Sequence, residues 1–269
     1  MMKMIQKWNK NVELMDYSKN YHGFFSEIST ITSYMLAPKN KKLFRIECND
    51  GIEVSLLGTF YRDISFQLEK SLSNVINDLL MSGKIYLQIK IEKNDLDKTR
   101  VNIEIGELNR KTYKKEKKNG ISKELIVLNI KDVGYTKRYF RRISKKLDKY
   151  DITSNSEKLL KDEKNYNFDK HREKSELKTL KITRNFCLVS DVEGLSDSYI
   201  LHKTIQQNSF KMLFVDYILE KVNNKIDILV GKGYNIKILT NYRIDNYSEL
   251  WEKYTSSNLT VSDMKDILY

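Results

Sequence analysis

The stretch GKIYLQIKIEKNDLDKTRVNIEI, residues 83–105, decides the fold. Ile85, Leu87, Ile89 and Ile91 alternate with Tyr86, Gln88 and Lys90, and Val101, Ile103 and Ile105 alternate with Asn102 and Glu104. A period of two is the mark of a strand with one buried face. The connection Glu92–Arg100 is polar, so the two strands are expected to pair as a hairpin. Immediately before this stretch, Ile64, Leu68, Leu72, Val75, Ile76, Leu79 and Leu80 make one apolar stripe of an amphipathic helix over residues 63–82. Gly83 stands where a left-handed C-cap belongs.

Outward from this centre the pattern continues. Phe24, Phe25, Ile28, Ile31, Met35 and Leu36 suggest a helix over residues 21–37, stopped near Pro38. Residues 43–57 read as two short strands joined at Asn49-Asp50-Gly51, a hairpin signal. Asn109–Lys123 reads as a basic loop, Leu125–Ile130 as a strand, and residues 136–149 as a helix buried along Tyr139, Phe140, Ile143 and Leu147. Residues 151–178 have few apolar anchors and are expected to be a mobile linker. A strand over 180–190 follows, then a long helix from Asp197 to about Ile228. Ile200, Leu201, Ile205, Leu213, Phe214, Tyr217, Ile218 and Val222 form its broad apolar face. A strand at Asn235–Thr240 and helical segments near 247–254 and 262–268 complete the chain. The fold class is α+β, with small antiparallel sheets, amphipathic helices and one long helix in the C-terminal half. The expected division is 1–150, a linker at 151–178, and 179–269.

The 269 residues are 40% hydrophobic and 31% charged, enough for a real core. The formal charge is +12. Residues 109–149 hold 15 Lys and Arg against 4 Asp and Glu, an excess of 11, so the rest of the chain is close to neutral. Some of the lysine reflects coding bias, since Asn, Ile and Tyr are also abundant. A local basic block nevertheless points to an anionic partner more strongly than a diffuse surplus does. The N-terminus shows no signal-peptide pattern and no apolar run is long enough to cross a membrane, so a cytoplasmic protein is expected. Cys48 and Cys187 read as buried small hydrophobes in strands.

The candidate nucleic-acid-binding residues are Arg110, Lys111, Lys114 and Lys115 in the basic loop, and Lys137, Arg138, Arg141, Arg142, Lys145 and Lys146 on the helix. Cations on a helix with an aromatic back can follow a phosphate backbone, and Tyr113 can stack on a base. The plainer alternative is a solvated face with snorkelling lysines. A metal-assisted nuclease needs converging carboxylates, for which Asp63, Glu104 and Lys90 are one trio among many. Gly231-Lys232-Gly233 follows a helix, where a phosphate loop would precede one, and reads as a C-cap. His22, His171 and His202 have no partner at a catalytic spacing. No cofactor and no metal centre is expected.

One ordering resembles tailed-phage portal proteins over about residues 60–230. A helix ends in Ser82-Gly83-Lys84 and runs straight into Ile85-Tyr86-Leu87-Gln88-Ile89 and a hairpin. Later Gly194-Leu195-Ser196 introduces the long helix from Asp197. The resemblance implies a non-catalytic structural protein that self-associates into a ring, meets DNA non-specifically and resides in a virion. The alternative is a basic nucleic-acid-binding protein of replication or defence type, or a nuclease.

Overall fold

The computed structural model describes residues 28–29, 43–58, 66–93, 100–148, 197–231, 233–241, 244–260 and 262–263. In chain order the elements are β1 (Phe44–Glu47), β2 (Glu53–Gly58), α1 (Phe66–Ser82), β3 (Lys84–Lys93), β4 (Arg100–Leu108), α2 (Arg110–Lys118), β5 (Leu125–Asn129), α3 (Lys137–Asp148), α4 (Asp197–Val230), β6 (Lys237–Thr240) and α5 (Ile244–Thr255). Short 3₁₀ turns at Ile121–Glu124 and Ile130–Val133 flank β5. The class is α+β, as expected. The proposed helix at 21–37, the linker at 151–178 and the strand at 180–190 lie outside the described residues, apart from Ile28 and Ser29.

The hairpin forms as its alternation predicts. β3 and β4 pair antiparallel with Ile89 opposite Ile105 and Ile91 opposite Ile103. β5 joins the other edge of β3, antiparallel, with Leu87 opposite Ile126. The fourth strand is the surprise. β2 lies parallel to β4, Val54 beside Val101 and Leu56 beside Ile103, so the sheet is mixed, in the order β2-β4-β3-β5. Parallel neighbours need a long crossover, and the chain between β2 and β4 supplies one through α1 and β3.

The expected β1–β2 hairpin does not form. The turn itself exists: Ile52 N–H donates to the Asn49 carbonyl at 3.2 Å, and Gly51 has φ +79°. But Asn49 is tied elsewhere. Its backbone N–H donates to Tyr234 O at 3.1 Å and its side-chain amide to Gly233 O at 2.9 Å. The turn therefore hands the chain from one sheet to another. β1 pairs antiparallel with β6, Ile46 opposite Ile238, as a separate two-stranded sheet. Cys48, just past β1, is half-buried and its thiol donates to Ile52 O at 3.2 Å. Cys187 lies outside the described residues.

One hydrophobic core draws on residues from Ile28 to Ile238. The inward residues of the large sheet, among them Leu56, Ile85, Leu87, Ile89, Val101, Ile103, Ile105, Ile126 and Leu128, meet the stripe of α1 and the flank of α4. α4 is the hub and touches β3, β5, β6, α1 and α5. Its buried residues run almost all round the helix from Gln207 to Val230: Phe210, Met212, Phe214, Val215, Tyr217, Ile218, Leu219, Val222, Ile226 and Val230. That is why periodicity located only part of the face, and why Leu213, expected inside, is exposed. A helix buried on most sides has a weak amphipathic signal.

Polar clamps fasten this hub. The Asn223 amide donates to Ile238 O at 2.8 Å and its Oδ1 accepts from Ile238 N–H at 2.9 Å, so a side chain serves as a strand partner for β6. Lys93, at the end of β3, donates to Val230 O at 2.8 Å and sits 4.6 Å from the Tyr234 ring centroid, placing a cation at the negative end of α4. Gly231 follows at φ +87° with its N–H on Asp227 O, the C-cap expected of it. Tyr217 OH accepts from Asn129 N–H at 2.9 Å and donates to Asp132 Oδ2 at 2.7 Å. Burial above all, then its bond to Asp132, pushes that phenol up to about 12, so it stays a donor.

Replacing Asn223 by Ala should destabilise the protein by about 1–3 kcal/mol, because two half-buried backbone groups lose their partner. Urea denaturation should show a lower midpoint at an unchanged m-value.

Candidate nucleic-acid interface

The region expected to be a basic loop is in large part a helix. Asn109 caps α2, its Oδ1 accepting from Lys111 N–H at 3.0 Å and from Thr112 N–H at 2.9 Å. No α2 residue is buried, which is why apolar periodicity missed it. The readable signal was the cap, followed by a run of Lys and Glu, both good helix formers. Tyr113 anchors the helix on the outer face of the sheet, its ring centroid 4.4 Å from that of Tyr86. It is therefore held by β3 and does not project alone into solvent.

α3 is built as the sequence indicated. The Thr136 hydroxyl accepts from Tyr139 N–H at 3.2 Å at its start. Phe140, Ile143 and Ser144 turn inward, whereas Tyr139, expected on the buried stripe, is exposed, being one position off the inward face that Phe140 occupies. Phe140 joins Tyr135, Phe210 and Phe214 in an aromatic cluster, with Tyr135 centred 5.5 Å from both Phe140 and Phe210. This cluster seats the basic helix on α4. Arg138, Arg141, Arg142 and Lys145 fall at i, i+3, i+4 and i+7, one stripe away from the aromatic face, and all four are exposed with Lys146.

Arg110, Lys111, Lys114 and Lys115 are also exposed, while Lys137 is half-buried. Among the described residues none of these ten cations makes an ion pair; the pairs seen are Arg45–Glu47, Lys90–Glu104, Arg100–Glu53 and Lys253–Glu249. Neither α2 nor α3 has an acid in its first turn, and each begins with two cations. This opposes the helix dipole, which favours negative charge there. Burial, and then the nearby Arg141 charge, holds the Lys137 ammonium below its ordinary value.

The two helices begin close to one turn. Gly83 ends α1 at φ +77°, its N–H on Leu79 O at 2.8 Å and its carbonyl accepting from Ile130 N–H at 3.1 Å. A Cβ there would lie 2.9 Å from Lys137 Cβ, so the start of α3 rests on the bare glycine. The next residue, Lys84, shares a pocket with Arg110, the first residue of α2. That open pocket, about 720 Å³, is also lined by Asp78, Met81, Tyr86, Glu107 and Leu108. Burial raises the Asp78 carboxyl above its ordinary value; burial and then the Asp78 charge do the same for Glu107. Glu107 lies at the end of β4 and α1 brings Asp78 to it, a meeting no local pattern displays.

Of the trio considered for nuclease chemistry, two members lie among the described residues. Lys90 and Glu104 pair across the exposed sheet face at 3.7 Å, and Asp63 lies outside the described residues. Among the described residues there is no group of three or more His, Cys, Asp or Glu able to hold a metal, and no helix long and apolar enough to cross a membrane. His22 and His171 lie outside the described residues. No family model matches the chain, and no curated protein or solved structure matches it either.

Two outcomes test this geometry. Gly83→Ala should destabilise by at least about 1 kcal/mol from the left-handed backbone alone, with a further cost as Lys137 is displaced, read as a lower melting temperature. Asp78→Asn should have the opposite sign. A carboxyl whose folded pKa is raised binds protons more readily in the folded state, so it weakens the fold above that pKa and the penalty fades as pH falls below about 4. Thermal melts should show the variant more stable than wild type at pH 7 and the difference lost near pH 3.

Proposed function

We propose that the protein binds nucleic acid through the basic surface of α2 and α3, reading backbone charge and not sequence. The observation that supports this is the set of cations, exposed apart from the half-buried Lys137 and in no ion pair among the described residues, that stand against the dipole at the start of both helices. Such placement costs helix stability, so local folding does not account for it; an anion seated there would gain both the side-chain charge and the N-terminal dipole. The α3 stripe spans about 10 Å along its axis, enough to meet about three phosphates of one strand at about 3.4 Å of axis each. The aromatic cluster beneath fixes the stripe as a unit.

The likeness to portal proteins adds assembly to this reading. Of the two features it rests on, the helix ending at Ser82 passes through Gly83 directly into a hairpin strand, and Gly194-Leu195-Ser196 lies outside the described residues. In that version DNA is met by a closed ring of subunits with head-to-tail interfaces.

Neutralising Arg138, Arg141, Arg142 and Lys145 together should weaken binding to duplex and single strands alike. The slope of log K against log salt should flatten by about 0.9 for each duplex phosphate contact removed. Unchanged affinity and slope would overturn the reading. Light scattering behind size exclusion, at low and moderate salt, separates the two versions: a particle of many chains supports the ring, and one or two chains rule it out.

A further inference from the structure

We propose that the pocket at the Ser82–Lys84 turn receives an unpaired guanine base, with its Watson–Crick edge on the carboxylates of Asp78 and Glu107, its ring on Tyr86 and its phosphate on Lys84 and Arg110. This rests on the nucleic-acid reading above and adds a base-reading element to a surface that otherwise reads charge.

The volume, about 720 Å³, falls in the range of small-ligand sites. Its wall supplies three chemistries side by side. Tyr86 brings an aromatic ring to the wall, its centroid 4.4 Å from that of Tyr113. Unpaired bases stack on such rings whatever their identity. Lys84 and Arg110 are exposed cations with no ion-pair partner among the described residues, and Arg110 continues directly into α2. A strand whose backbone lies on α2 therefore has its next base within reach of the pocket.

The carboxylates set the identity of the base. An ionised carboxylate only accepts hydrogen bonds. Guanine alone presents two adjacent donors, N1–H and the 2-amino group, on its Watson–Crick edge. Adenine and cytosine each set one amino group beside a ring-nitrogen acceptor, and uracil or thymine sets one N–H between two carbonyls. Each of these would press an acceptor against a carboxylate. The two groups also sit in an environment that disfavours their charge: burial raises both, and Asp78 raises Glu107. Two donors arriving together would relieve that penalty. The same pair of acids makes the pocket a poor seat for phosphate alone, since a bare anion would meet them at close range.

The test uses the full chain and labelled single-stranded oligothymidylates that carry one central guanosine, inosine or adenosine, read by fluorescence anisotropy. Inosine lacks only the 2-amino group. The guanosine strand should bind about ten-fold more tightly than either other strand, the scale of one good base-edge contact. Glu107→Gln, at an exposed position, should bring the three strands to one affinity, and Asp78→Asn should do the same. Arg138→Ala with Arg142→Ala should weaken all three strands and leave their ratio intact. Equal affinities in the wild type, or a guanosine preference that survives both carboxamide variants, would overturn the pocket assignment and leave backbone binding standing. Failure to bind any strand or duplex would overturn the basic-surface reading. Calorimetry with guanosine and adenosine monophosphates then reads the pocket separately, and equal heats would overturn it as well.

Discussion

The turn at Gly83 is the constraint on which the rest of this molecule depends. A residue with a side chain would resist φ +77° and would strike Lys137 at 2.9 Å. Without one, α1 can stop on its own C-cap and the chain can enter β3 in the next residue. The same glycine gives its carbonyl to Ile130, which pins the segment after β5 to the start of β3. It also leaves the space in which α3 begins. A helix end, a strand start and the root of a second helix are thereby set by one missing methyl group. The pocket lies beside this turn, walled by the end of α1, the start of β3, the end of β4 and the first residue of α2.

The basic helix illustrates how a fold supports an unfavourable surface. Arg138, Arg141, Arg142 and Lys145 repel one another along one stripe, and their like-charge pairs cost a few tenths of a kcal/mol each. Two cations in the first turn oppose the dipole at a similar level. Against this, burial of Phe140 among Tyr135, Phe210 and Phe214 contributes on the order of 3–5 kcal/mol, judged from what large-to-small changes cost in cores. The packing term is the larger, so α3 can hold its charges in a fixed array. α2 has no buried residue to call on. It relies on the Asn109 cap and the Tyr113–Tyr86 contact, and it carries its cations on a shorter, more solvated element.

What the sequence revealed follows from how local each feature is. Alternation in residues 85–91 and 101–105 reports one buried face, and that face is what β3 and β4 have. The stripe of α1, the cap at Gly83 and the extent of α4 are equally local. Pairing is not. Asn49-Asp50-Gly51 makes its turn, yet the partners of β1 and β2 are chosen by distant edges: β6, clamped by Asn223, and β4, open on the side away from β3. All ten cations of the candidate site were visible, because charge survives any fold. That Arg110 lies in a first turn, opens a pocket with Lys84 and faces Asp78 and Glu107 was not visible, because α1 and β4 are brought together only by the core.

The acids inside this basic surround are the feature that charge counting hides. Beside a stretch with an excess of 11 positive charges over residues 109–149, the simplest arrangement would neutralise Asp78 and Glu107 with the nearest lysine or arginine. Instead Lys84 and Arg110 line the same pocket without forming an ion pair with them, and both carboxyls are raised by burial. Folding alone gains nothing from such an arrangement, since pairing the charges or replacing the acids with carboxamides would remove the penalty. Acceptors and cations that line one pocket with an aromatic ring, without pairing with each other, suit a ligand that is itself divided, with donors at one end and negative charge at the other. A nucleotide has that division, and a bare phosphate, a simple cation or an apolar group does not.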